Sequence, residues 1–211
     1  MMGVIAFMPD NIIHTALRAG RRTAALTAAF LMMLLPMLAC SSCGESKSDD
    51  SSLTESLLHT YMECFCDYNI AGMNKCSMGK LDAYDDCEEA VMACGTLAGR
   101  IKWEGDNISI HGNSAIAQVK LTLPADFGEI CDLALSDVMK TVDGGSERDP
   151  AELLASAIRK RAGNAGYTQL SVEVSMTKVN NKWYIVQSLG INHVISDIRT
   201  PVASAYSMIG R

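Results

Sequence analysis

The sequence predicts an α+β domain. Segments with helical periodicity come first, period-two segments dominate the second half, and an Asn180-Asn181 turn closes a hairpin near the end. The expected architecture is a disulfide-stapled helical pair at the front, then an antiparallel sheet with helices on one face. The 211 residues exceed one ordinary domain only modestly, and the surplus lies at the N-terminus.

That surplus reads as an address. Arg18, Arg21 and Arg22 form a positive segment, followed by an apolar run from Ala24 to Ala39. This is the layout of a secretory signal peptide over residues 1–39. A spanning helix needs about 20 apolar residues, and this run is shorter and interrupted by Pro36. The segment ahead of Arg18 is long for a signal, which makes Met8 a second candidate start.

Met37-Leu38-Ala39-Cys40 resembles the cleavage box of bacterial lipoproteins. The resemblance implies cleavage after Ala39 and acylation of Cys40, with palmitate-type chains holding the protein to a membrane. Residues 40–52 are Ser-rich and charged, a composition suited to a flexible tether. Firm attachment takes more than one acyl chain, each buried methylene contributing about 0.8 kcal/mol. Asp49 and Asp50 are similar to surface-export signals of some bacterial lipoproteins, and a solvated linker is the plainer reading. The implied location is outside the cytoplasm, at the outer membrane or cell surface rather than the inner membrane. Cys40 and Cys43 also form a C-x-x-C pair, but acylation of Cys40 would remove one thiol and neither lies in a predicted βαβ unit.

The single folded domain is expected over 53–211. Ser52 and Glu55 have the spacing of a capping box, and Leu57, Leu58, Tyr61, Phe65 and Tyr68 share a helical face. A Gly-containing loop over 69–79 precedes a second expected helix from about Lys80 to Leu97, with Leu81, Tyr84, Cys87, Val91 and Cys94 at three- and four-residue steps.

Six cysteines fall in this domain: Cys64, Cys66, Cys76, Cys87, Cys94 and Cys131. An even number in an exported chain points to disulfides. Cys64 and Cys66 would lie about 200° apart around a helix, and Cys87 and Cys94 roughly 10.5 Å apart along one, so neither pair should bond internally. Cys64 and Cys66 are expected to reach Cys87, Cys94 or Cys76, with Cys131 taking the remainder. A zinc site is the rival, but one-residue spacing is not the usual knuckle and no His pair supports it. No metal or other cofactor is expected.

In the second half, Ile108–Ile110 and Ala115–Leu123 read as strands joined over Gly112-Asn113, with Ala115, Ala117, Val119, Leu121 and Leu123 facing one side. Two helices follow. The first carries Leu135, Val138, Met139 and Val142 on a face, and the second starts at Asp149-Pro150 and turns Leu153, Leu154, Ala157 and Ile158 inward. Leu170, Val172, Val174 and Met176 alternate before the Asn180-Asn181 turn, and Trp183–Val186 return. A short last helix would run through Val194, Ile195 and Ile198, with Pro201 after it.

The strand, polar turn and aromatic return of Val172–Val186 resemble the cystatin-like and nuclear transport factor 2-like lipoproteins of unassigned function. That resemblance implies a curved sheet that can enclose a cone-shaped apolar pocket. The expected role is a noncatalytic domain binding a small apolar ligand or an envelope protein. The alternative is a small pocket enzyme of the isomerase, dehydratase or hydrolase kind, with a buried carboxylate or histidine as base. No catalytic motif is present: there is no G-x-S-x-G, H-E-x-x-H, phosphate loop or dinucleotide fingerprint. His59, His111 and His193 read as structural or solvated, while Asp126 and Glu129 flank a loop that could border a pocket mouth.

Charge excludes one partner class. Without Arg18, Arg21, Arg22 and Asp10, the chain from Cys40 carries 15 basic against 23 acidic residues, a net charge of −8. Phosphate backbones are bound by clustered Lys and Arg, so nucleic acid is not an expected partner. The densest basic group, Arg159-Lys160-Arg161, reads as a solvated helix end.

Overall fold

The computed structural model describes residues 47–82, 87–186 and 188–210. The expected signal segment, with Ala39, Cys40 and Cys43, lies outside the described residues. Among the described residues six helices accompany a four-stranded sheet, and residues from Ser48 onward form one compact unit. The α+β class is as expected from the sequence.

Helix α1 spans Lys47–Cys66. It begins at Lys47 rather than near Leu53, so the capping box does not start it: the Thr54 hydroxyl donates to the carbonyls of Asp50 and Ser51 from inside the helix. Residues 47–52 are therefore helix and not tether. Leu58, Tyr61, Met62 and Phe65 are buried along its inner face.

A short helix α2, Ile70–Cys76, occupies what composition marked as a loop. Asn69 caps it, accepting from Gly72 N at 2.8 Å. Helix α3 spans Glu88–Ala98, so Lys80–Asp82 lie outside it, and residues 83–86, including Tyr84, are outside the described residues. Cys87 is the N-cap of α3 rather than part of a long helix.

Strands β1, Lys102–His111, and β2, Ser114–Pro124, pair antiparallel across the expected Gly112-Asn113 turn. The first is longer than the sequence suggested, and its register shifts between Gly105 and Asn107. That bulge sits where Leu58 of α1 approaches, its Cδ2 being 3.5 Å from where a Cβ on Gly105 would stand.

Two helices intervene, α4 over Phe127–Asp143 and α5 over Pro150–Asn164. Asp149 caps α5 ahead of Pro150, as the sequence indicated. The buried face of α4 differs from expectation: Phe127, Ile130, Cys131, Ala134 and Val138 face the core, and Met139 is exposed. Strands β3, Tyr167–Val179, and β4, Lys182–Ile185, complete the order β1-β2-β3-β4. Asn180 and Asn181 both take positive φ, 49° and 65°, the requirement of a tight two-residue hairpin turn.

The free edge of β4 is covered. Ser77 bridges Ile185 in parallel, and Met78 N donates to the Ile185 carbonyl at 3.0 Å. Helix α6, Leu189–Ile209, is longer than the short tail helix expected and runs through Pro201 instead of ending before it. It starts pressed against β3: a Cβ on Gly190 would stand 2.7 Å from Val172 Cγ1, so no larger residue fits there without displacing β3.

The sheet has one apolar and one polar face. Along β2 exposed and buried residues alternate, the buried set being Ala115, Ala117, Val119, Leu121 and Leu123. Helices cover that side, while Gln118, Lys120 and Glu173 face outward.

The expected disulfide staple is not formed in the structure. Cys64, Cys66, Cys76, Cys87, Cys94 and Cys131 all stand as thiols. Burial pushes Cys66 up to about 11 and Cys131 up to about 12, keeping both protonated. The Cys66 thiol donates to the Ile101 carbonyl at 3.7 Å.

Candidate functional site

The space where the resemblance placed a cone-shaped pocket is filled. Ala115, Ala117, Val119, Leu121, Val174 and Met176 on the inward sheet face are each at most 1% exposed, so no water-sized cavity opens onto them. Asn192 Oδ1 is buried without a hydrogen-bond partner, and among the described residues the polar residues buried as a whole are Thr54 and Ser188. Both are satisfied, Ser188 Oγ donating to the Glu173 carbonyl at 2.7 Å. The buried phenols of Tyr61 and Tyr206 are pushed above the usual tyrosine range by desolvation and stay neutral.

An open groove of about 600 Å³ lies elsewhere, between the N-terminal end of α4 and the middle of α6. Asp126, Phe127 and Asp132 line one side, and Asp197, Thr200 and Pro201 the other. Asp126 is held by the helix it caps, its Oδ1 accepting from Glu129 N at 2.9 Å. Pro201 has no amide hydrogen to give the Asp197 carbonyl one turn back, so that carbonyl lacks its helical donor within the groove. No Lys, Arg or His lines it. Three carboxylates and a released carbonyl make a surface rich in acceptors, suited to a donor-rich or cationic partner and hostile to phosphate.

Of the expected site residues, Asp126 borders this groove, and Glu129 contributes its backbone amide to the Asp126 cap. The histidines do not assemble with them. His59 is exposed, its Nδ1 3.2 Å from Glu63 Oε1 and its ring edge-on to Trp103 with centroids 5.4 Å apart. His111 and His193 are exposed in β1 and α6. No group of three or more metal-ligating side chains is found among the described residues.

A second polar arrangement escaped the sequence. The Asp50 carboxylate, in the first turns of α1, accepts from Lys178 Nζ at 2.8 and 3.0 Å and from Trp183 Nε1 at 2.9 Å. Lys178 and then the Trp183 indole hold the Asp50 carboxyl below the usual carboxylate range. Asp50 therefore belongs to the folded domain rather than to a solvated linker. Arg161 likewise is not merely a solvated helix end: it grips Asp137 of α4 bidentately, at 2.6 to 2.9 Å.

No family model matches the chain. No curated protein matches it either. Among solved structures, the chain is similar to the crystal structure of a candidate lipoprotein, ycdA, from Bacillus subtilis subsp. subtilis str. 168. Identity is 16%, the match covers 68% of this chain and 46% of that one, and the TM-score is 0.38. The chain thus spans under half the length of that neighbour, and similarity this low carries no argument about activity. Among the described residues no helix is long and apolar enough to cross a membrane.

Proposed function

We propose that this protein is an exported, lipid-anchored envelope protein whose domain works by binding rather than by catalysis. The anchor is Cys40, acylated after cleavage at Ala39, and its support is the charged, apolar and lipobox-like succession from Arg18 to Cys40. Binding is favoured by one observation above the others: among the described residues, the inward face of the sheet is sealed by aliphatic side chains, which leaves no water-sized opening on that face in which an acid or base could act. An envelope protein suits the acceptor-rich groove beside Pro201 better than a small apolar ligand does, because the groove is open and carries Asp126, Asp132 and Asp197.

The intact mass of the protein extracted from its native membrane tests the anchor. A mass beginning at Cys40 with added acyl chains is expected, and a mass retaining residues 1–39 would sink the reading. For binding, a photoreactive residue at Thr200 in the anchored protein should give a discrete protein adduct in cells, whereas the same residue at Lys120 on the polar sheet face should not. Equal labelling from both positions would remove the groove from consideration.

A further inference from the structure

The sheet protects its two edges unequally. Ser77 and Met78 cover β4, whereas β1 is the other outer strand and, among the described residues, no backbone group bonds it from the side away from β2. An open edge is a template for another strand unless charges or bulges blunt it. In β1 both devices lie in the first half: the sequence places Lys102, Glu104 and Asp106 there, and the register breaks between Gly105 and Asn107. Residues 107–111 form a regular stretch without Lys, Arg, Asp or Glu.

The adjoining turn fixes which way the backbone of that stretch points. Gly112, at φ 60°, is the first central residue of a two-residue turn, and the pair flanking such a turn, His111 and Ser114, is a hydrogen-bonded one. The Asn113 carbonyl accepts from Lys178 N at 2.8 Å on the β3 side, which turns the Ser114 amide toward β1 and agrees with that assignment. Alternation then aims the amides and carbonyls of His111, Ser109 and Asn107 at β2, and those of Ile110 and Ile108 at the open edge. The Ile108 and Ile110 side chains lie opposite Ala117 and Ala115 on the inward face, half-buried at the rim of the sheet.

We propose that residues 107–111 are a self-association surface, on which two copies of this chain pair β1 to β1, antiparallel, around a two-fold axis at Ser109. The occupant follows from self-complementarity. An axis through the midpoint of the stretch sets Ile108 of one copy opposite Ile110 of the other, and their outward donors and acceptors then meet, each such pair exchanging both of its backbone hydrogen bonds. On the inward face the half-buried isoleucines of the two copies cover one another. On the outward face Asn107 stands opposite His111, so no like-charged side chains are opposed. The bulge and the charges beyond it stop the pairing at Asn107. The contact joins two four-stranded sheets into one and leaves both the acidic groove and the Cys40 anchor out of the interface.

The test is sedimentation equilibrium of the purified full chain, joined to disulfide trapping. The natural chain should show an apparent mass that rises with concentration toward two chains, more readily at high salt because the acidic copies repel. Ile110→Pro removes an amide that points outward and spares the β1–β2 ladder, so it should stay folded by circular dichroism and sediment as a monomer. Trapping decides the matter should that variant unfold. Ser109 meets its own copy across the axis as a non-hydrogen-bonded pair, with Cα atoms about 4.5 Å apart, within the reach of a disulfide. Under mild oxidant Ser109→Cys should therefore join two copies of the peptide spanning residues 103–120, which holds no cysteine in the natural chain. Ser114→Cys, exposed on β2 in the same peptide, should not. Trapping at position 109 above that at position 114 sustains the pairing. Equal trapping at both positions overturns it, and so does a dimer that persists undiminished in folded Ile110→Pro.

Discussion

At the residue scale, the Asp50 carboxylate is the most informative side chain, because it joins the first turns of α1 to a hairpin 128 residues later. Its folded-state pKa is depressed, so the stability it adds is present above the ordinary carboxylate range and is lost as pH falls through the lowered folded value. In a Trp103→Phe background, Trp183 fluorescence should therefore shift below the ordinary carboxylate range. Asp50→Asn should remove that acid transition and lower the urea midpoint, since the amide cannot pair with Lys178. Asp50 could not be found from sequence, because nothing in local spacing links positions 50, 178 and 183. The hairpin turn is the opposite case. Asn180 and Asn181 tolerate positive φ through their short polar side chains, and their dipeptide between alternating strands was legible at once. Asn181→Val should cost about 1–2 kcal/mol by chemical denaturation, and Asn181→Gly should cost little or stabilise.

At the element scale, the strands were more legible than the helices. Period-two alternation is set by one buried face; β2 carries it from Ser114 to Leu123 and β3 from Ser171 to Met176, whereas Leu170, expected on the inward face, is exposed. Helix ends depend on competition between caps and tertiary contacts. The Ser52–Glu55 spacing lost because the preceding residues continue the helix toward the Asp50 contacts, and Pro201 did not end α6 because apolar residues on both sides, Ile198 and Val202, are fully buried. That burial offsets the missing amide and the ring clash. Pro201→Ala should accordingly raise stability by about 1–2 kcal/mol and return a donor to the Asp197 carbonyl. If the released carbonyl serves the groove, the same change should weaken crosslinking from Thr200. Leu154→Ala in α5 should cost about 2–5 kcal/mol in denaturant unfolding, because Leu154 is fully buried.

At the scale of the whole molecule, the sequence by itself determined the fold class and the charge balance. An α+β order of elements and an acidic balance both follow from composition and short-range periodicity, which act along the chain. Only the tertiary structure decided what the interior contains, since filling a sheet face depends on which helices cover it. It also placed the acidic groove, which needs α4 and α6 side by side, and it set Cys64 against Gly72 through a reversal centred on a tyrosine with positive φ. Residues distant in sequence meet only where packing brings their elements together, and no pattern within either element carries that information.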